Sequence, residues 1–238
     1  MTDPRAAGLP EHLRGIVARG LVRDQPIAQF ELGSAKNFIY LIVDWKSARA
    51  AIVDPQSDLA PPLDALAAHG LQLECVLLTH THFDHIAGLG GLAENFARLP
   101  VHVHPGDAPR ISREWAERLE LKSLADGQRL RIGATEIEVL HTPGHSAGEC
   151  SYFLAGTQPP YLFTGDTIFI RDCGRTDFDG GSDDQMFASI QRVKQLPPET
   201  VFLVGHHYKP EVATTLAREL RESPPFGVSS VAELAALP

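Results

Sequence analysis

Four side chains able to bind a metal, His80, His82, Asp84 and His85, fall within six residues of one another in THTHFDHIAG, Thr79 to Gly88. Imidazole and carboxylate are donors that suit zinc, iron or manganese. On a loop, alternate residues turn toward one point while later ones reach a neighbouring point. The loop follows CVLLT, Cys75 to Thr79, a short apolar run that reads as a buried strand able to hold it rigid. Ala87 and Gly88 are small enough for the next helix to start close to a metal. A polar surface loop with chance histidines is a poor account of HxHxDH in this position.

Three further donors each follow a strand-like run. His145 lies in TPGHSAG after TEIEVLHT, Asp166 in FTGDT after YLFTG, and His206 in VGHHY after VFLVG. Each is a weak signal alone. Together they predict ligand-bearing loops that open at one edge of a sheet system, as a single site requires.

The elements that must position these loops are short. Phe38 to Val43 and Ala50 to Asp54 are apolar, β-branched runs joined by a polar turn, which predicts a hairpin. Asp58 to His69 reads as a helix, with prolines in its first turn and Gly70 just past its end. A helix is expected over Leu89 to Leu99, a strand over Val101 to His104, and a charged helical stretch around Arg110 to Leu121. RLRI, TEIEVLHT, CSYFLA and YLFTG read as strands. Asp184 to Leu196 places Met186, Phe187, Ile190 and Val193 on one helical face. A last strand, Val201 to Gly205, precedes a helix over about Glu211 to Glu222, and VAELAAL reads as a short final helix. Two groups of strands with helices between and after predict two sheets packed face to face under helices, an α+β fold. Residues 1–25 read as an N-terminal extension and 26–238 as a single domain with a short C-terminal helical tail.

Composition narrows the function. The 238 residues are 43% hydrophobic and 21% charged, ordinary for a globular chain. No apolar run is long enough to span a bilayer, and MTDPRAAGLPEHLRG lacks the apolar core of a secretory signal, so a cytoplasmic protein without a membrane partner is expected. The net charge of −9 argues against a nucleic-acid partner. Cys75, Cys150 and Cys173 form no CxxC pair and suit a reducing compartment, with Cys75 and Cys150 read as core residues.

HxHxDH, PGH, GD and GH, in that order, resemble the metallo-β-lactamase superfamily from about Phe30 to about Glu222. The resemblance implies an αββα sandwich with a metal cleft at the sheet edge. In dinuclear members one metal is held by residues matching His80, His82 and His145. A second is held by those matching Asp84, His85 and His206, and the carboxylate matching Asp166 bridges them. Every one of these positions is filled here. The implied cofactors are two divalent metals, zinc first, with iron or manganese as alternatives. The implied chemistry is attack of a metal-bound hydroxide on an ester-like carbonyl, with Asp84 and Asp166 orienting it and accepting its proton.

GDTIFIRDCGRTDFDGG, Gly165 to Gly181, is similar to two subfamilies, the glyoxalase II thioesterases and the persulfide dioxygenases. IRDCGRTDF looks more like the dioxygenases, in which one ferrous iron is held by residues matching His80, His145 and Asp166. Phe83 departs from the alanine usual there, and KNFIYLI, DDQMFASI and LPPETVFLVGHHY look closer to glyoxalase II. The basic glutathione clamp of glyoxalase II has no matching Arg/Lys pair; Lys209, Arg218 and Arg221 are better read as surface residues. The leading expectation is a glutathione-thioester hydrolase acting on a small thiol-derived substrate, and the alternative is a persulfide dioxygenase with one Fe(II). Arg175 either contacts an anionic substrate or pairs with Asp172 or Asp177, and Tyr208 lines the pocket. His102 and His104 read as structural, His141 as a residue behind the site, and His207 as turned away from it. Assembly into a homo-oligomer is a further expectation.

Overall fold

A computed structural model describes residues 20–238, so most of the expected N-terminal extension lies outside the described residues. Two six-stranded sheets face each other. The first runs β1 (Ile27–Leu32), β2 (Asn37–Asp44), β3 (Arg49–Val53), β4 (Gln72–Leu77), β5 (Pro100–Val103) and β6 (Glu120–Ser123) in spatial order. The second comprises β7 (Arg129–Ile132), β8 (Thr135–His141), β9 (Cys150–Leu154), β10 (Tyr161–Gly165), β13 (Val201–Val204) and β14 (Thr214–Thr215). Its order is β14-β13-β10-β9-β8-β7. A two-stranded hairpin, β11 (Ile168–Phe169) with β12 (Asp172–Cys173), hangs from the end of β10.

The unbroken apolar run of β2 follows from burial on both faces. Phe38, Tyr40 and Ile42 point into the core between the sheets, where they meet Val139, Tyr152, Phe163 and Leu203. Ile39, Leu41 and Val43 alternate to the outer face, under α1 (Ala60–Ala68), α3 (Leu89–Asn95) and α4 (Arg113–Arg118). The second sheet is covered by α5 (Asp183–Val193), with α6 (Leu216–Glu222), α7 (Pro224–Gly227) and α8 (Val231–Ala235) beyond it. Ser182 caps α5 through the Gln185 N–H, and Met186, Ile190 and Val193 are buried beneath it. This is the expected αββα sandwich.

The expected hairpin of β2 and β3 forms in the register Tyr40↔Val53 to Asp44↔Arg49. The structure corrects three expectations. The charged stretch from Arg110 to Leu121 is α-helical only over Arg113–Arg118, and Glu120–Ser123 becomes an edge strand parallel to β5. The helix expected from Leu89 ends at Asn95. The helix expected from Glu211 starts at Leu216, because Thr214 and Thr215 pair with β13 and Thr215 then caps the helix.

A cluster of ion pairs fastens these last helices to the β11–β12 hairpin. Arg171 makes two bonds to Glu211, 2.8 and 2.9 Å, and Arg218 adds a third at 2.8 Å. The Arg171 guanidinium, aided by Arg218, holds the Glu211 carboxyl down at about 2. A depressed folded pKa adds stability above the unfolded value near about 4.3, and that stability is lost as pH falls toward the folded value. The thermal midpoint is therefore expected to fall between pH 5 and pH 2, more shallowly in Glu211→Gln than in the parent (both pH values being approximate bounds of the window, roughly the two pKa values). Parallel pH–melting curves of the two proteins check this.

Candidate metal centre

All the predicted ligands lie at one edge because the strands that carry them end there. His80, His82, Asp84 and His85 follow β4, His145 follows β8, Asp166 follows β10 and His206 follows β13. The short helix α2 (Phe83–Ile86) turns Asp84 and His85 away from the extended His80–His82 segment. Ligand atoms of His80, His82 and His145 fall within 4.8 Å of one another, and so do those of Asp84, His85 and His206. Asp54, His80 and His85 form a third such group. The Nδ1 of His82 is 2.8 Å from His145 Nε2, and His85 Nε2 is 3.1 Å from His206 Nε2. Asp166 Oδ2 stands between the two sets, 3.6 Å from His145 Nε2 and 3.3 Å from His206 Nε2.

The far side of four imidazoles is fixed by a hydrogen bond. His145 Nδ1 donates to the Arg175 carbonyl at 2.7 Å and His206 Nδ1 to the Ala35 carbonyl at 3.0 Å. His85 Nδ1 donates to Asp54 Oδ2 at 3.0 Å. Thr79 gives its hydroxyl hydrogen to the same oxygen, 2.6 Å, so it accepts from His80 Nδ1 at 3.0 Å. In its neutral form each ring is thereby left with a bare Nε2 facing the cluster, the tautomer a metal needs. Buried His80 Nε2 and Asp166 Oδ1 have no hydrogen-bond partner among the described residues. A buried polar atom without a partner is costly, and two of ligand type within the donor cluster fit a metal.

Electrostatics support the same reading. Burial, then the neighbouring His85, pushes His80 well below the usual histidine range; burial and His145 hold His82 at about 4. Burial also lowers His145. Burial would lower His85 as well, but Asp166 and Asp54 more than reverse it, and His206 is raised by Asp166 against its own burial. Burial opposes ionisation of Asp166, yet His85 and His206 hold its carboxyl well below the usual range. Such opposed shifts in one cleft mark a functional site.

Several residues behind the cluster had escaped notice in the sequence. Asp54 anchors the Thr79 N–H at 2.8 Å as well as His85. Asn37 Nδ2, at the start of β2, donates to Asp84 Oδ2 at 2.9 Å. Buried Glu149 receives the Asp166 N–H at 2.6 Å. Asp107 receives the Thr81 N–H at 3.0 Å, the Ser146 hydroxyl at 2.8 Å, the Gly148 N–H at 2.8 Å and Arg110 Nη1 at 3.1 Å. The available signal was an acid at the end of an apolar strand for Asp54, and a polar residue opening one for Asn37.

Close backbone approach is also required. A β-carbon at Gly205 would overlap Asp166 Oδ1, and one at Gly174 would overlap the Asp166 carbonyl. Gly205→Ala is expected to displace Asp166 and lower metal affinity about 10- to 100-fold, as loss of a ligand's support does. Competition with a chromogenic chelator measures this.

Arg175 lies at the rim, paired with Asp177 through two bonds of 2.9 and 2.6 Å, which is the structural alternative raised for it. Tyr208 stacks on the His206 ring at 4.8 Å and lines a 540 Å³ pocket over the cluster, which Cys173 also lines. Arg218 and Arg221 pair with Glu211 and Glu222, and Lys209 sits 3.8 Å from Asp172. His207 turns to Glu31. His141 stacks on His104 and bonds the Ala147 carbonyl beside the His145 loop. Cys75 and Cys150 are buried, as expected.

Two faced sheets under helices, with paired His/Asp donor sets at the strand ends, define an αββα chain able to hold metal. Residues 35–206 match the metallo-beta-lactamase superfamily, and the chain belongs to it. It is 38% identical over 172 residues to a hydroxyacylglutathione hydrolase from Pectobacterium carotovorum and 37% identical to one from Hamiltonella defensa. The matched segment is 72% of this chain but only 62% and 63% of those proteins, so the chain spans less than two thirds of their length. It is also similar to the crystal structure of ETHE1 from Myxococcus xanthus, with TM-score 0.75 and 30% identity over 90% of this chain and 92% of that one. A di-iron-bound form of TTHA1623 has TM-score 0.70 and 32% identity over 82% of this chain and 98% of that one. Among the described residues no helix is long and apolar enough to cross a membrane.

Proposed function

We propose that this chain hydrolyses thioesters, glutathione thioesters foremost, with two divalent metals, zinc first and iron or manganese as alternatives. The carrying observation is the pair of complete donor sets, His80, His82, His145 and Asp84, His85, His206, with Asp166 between them. Its likeness to hydroxyacylglutathione hydrolases supports the substrate class. Two such ions supply an acidified water and stabilise negative charge developing on a carbonyl oxygen. The chain's own part is to hold the donors: Asp54, Thr79, Ala35 and Arg175 fix the imidazoles, and Asn37 fixes Asp84. Asp84 and Asp166 orient the attacking water and take its proton at a carboxylate oxygen. Tyr208 and Arg175 flank the substrate. A cytoplasmic location, no nucleic-acid partner and homo-oligomeric assembly complete the reading.

A second reading, oxidation of glutathione persulfide at one Fe(II) on His80, His145 and Asp166, is supported by the likeness to the ETHE1 structure, 30% identical with TM-score 0.75. Hydrolysis of a glutathione thioester panel by zinc-loaded protein, without oxygen uptake by iron-loaded protein given glutathione persulfide, is expected. Rapid stoichiometric uptake with sulfite formed would replace the first reading by the second.

A further inference from the structure

Five large apolar side chains stand exposed among the described residues, and three of them, Phe83, Phe178 and Tyr208, border the pocket over the donor cluster. Isolated exposed apolar residues are ordinary, whereas a cluster at a cleft marks a binding surface. Phe83 is 82% exposed although it sits between His82 and Asp84. Phe178 is 42% exposed and turns an edge to the rings of His82 and His145, at 5.3 and 5.5 Å. Across the cluster, Tyr208 is 57% exposed, stacks on His206 and meets Phe169 at 5.2 Å. Aromatic surface therefore flanks both donor sets.

Cationic side chains at the rim are sparse and already matched. Arg175 is the one Arg or Lys among the described residues lining the pocket; it is bound twice to Asp177 and lies 4.7 Å over the Phe178 ring. That contact, with the two bonds to Asp177, places Arg175 against Phe178 at the mouth of the pocket. We propose that the pocket binds a bulky apolar group, aromatic or branched, carried as the acyl part of the substrate and packed against Phe83 and Phe178. Its placement as an acyl part rests on the thioester reading; the apolar preference does not. Phe83 and Phe178 then set specificity by removing apolar surface from water when that group enters.

The test is calorimetric binding to zinc-loaded protein of two thiols without glutathione, ethanethiol and benzyl mercaptan, and of S-methylglutathione and S-benzylglutathione. In the parent protein the benzyl member of each pair is expected to bind at least about tenfold more tightly. Phe83→Ala and Phe178→Ala, with zinc content verified, should each cut that preference to about threefold or less. Equal affinity for the two thiols in the parent, or an undiminished preference in both variants, would overturn the proposal. A benzyl preference among the thiols with neither glutathione derivative bound supports the apolar site and counts against glutathione as the carrier.

Discussion

Asp166→Ala protein is expected to lose turnover by at least about a thousandfold and to retain metal poorly, because in the proposed hydrolysis several kcal/mol of transition-state stabilisation would depend on the metals. Among the described residues Asp166 is the carboxylate set between both donor groups, 3.6 Å from His145 Nε2 and 3.3 Å from His206 Nε2. Its removal also takes away the carboxylate that lies 3.5 Å from His85 Nε2 and 3.3 Å from His206 Nε2. His80→Ala should lose activity equally, since that side chain is fully buried and its bare Nε2 has no other use. Elemental analysis after dialysis and thioester hydrolysis rates read out both variants. Full activity in either would remove the site assignment.

The second large effect is expected at a residue that touches no ligand. Asp107 has no exposed surface and gathers donors from three segments: Thr81 between His80 and His82, Ser146 and Gly148 beside His145, and Arg110. These are the segments that bring His80, His82 and His145 together. Asp107→Ala strands two buried N–H groups and an arginine, a loss of about 3–5 kcal/mol by analogy with other broken buried pairs. For a chain of this size that is a fall of roughly 10 °C in melting midpoint. Asp107→Asn keeps the volume and is the gentler variant. It should lower affinity at the His80–His82–His145 set about 10- to 100-fold and leave the Asp84–His85–His206 set nearly intact. Metal titration of the Asn variant should then resolve one tight and one weakened site, and two unchanged sites would refute the role.

The donors were legible in the sequence because chemistry and chain order coincide. His80 to His85 are nearly contiguous, and His145, Asp166 and His206 each end an apolar run, so strand geometry alone sends them to one edge. Asp54, Asp107, Asn37 and Glu149 were not, because each acts through a partner far along the chain, such as Ser146 for Asp107. A lone acid in VDP or PGD gives no sign of that partner until the sheets are stacked. Three of the strands not legible in the sequence share another cause. β1, IAQFEL, β6, ELKS, and β14, only two residues long, all lie at sheet edges, where one backbone side goes unpaired and polar side chains are tolerated. Glu120–Ser123 follows a helical turn rich in Arg and Glu and shares its charge pattern, and only the pairing with β5 distinguishes it as a strand.

Each donor set draws on both layers of the sandwich. His82 and His145 are 63 residues apart, and His85 and His206 are 121 apart. An ion held by either set would act as a removable cross-link, closing a long loop between the two sheets and restricting the unfolded chain far more than a local clip does. The edge that opens for chemistry would thus also be the seam of the molecule. Chelation should loosen the two layers from one another there first, exposing the loops after β4 and β8 to proteolysis while the helix-covered faces stay protected.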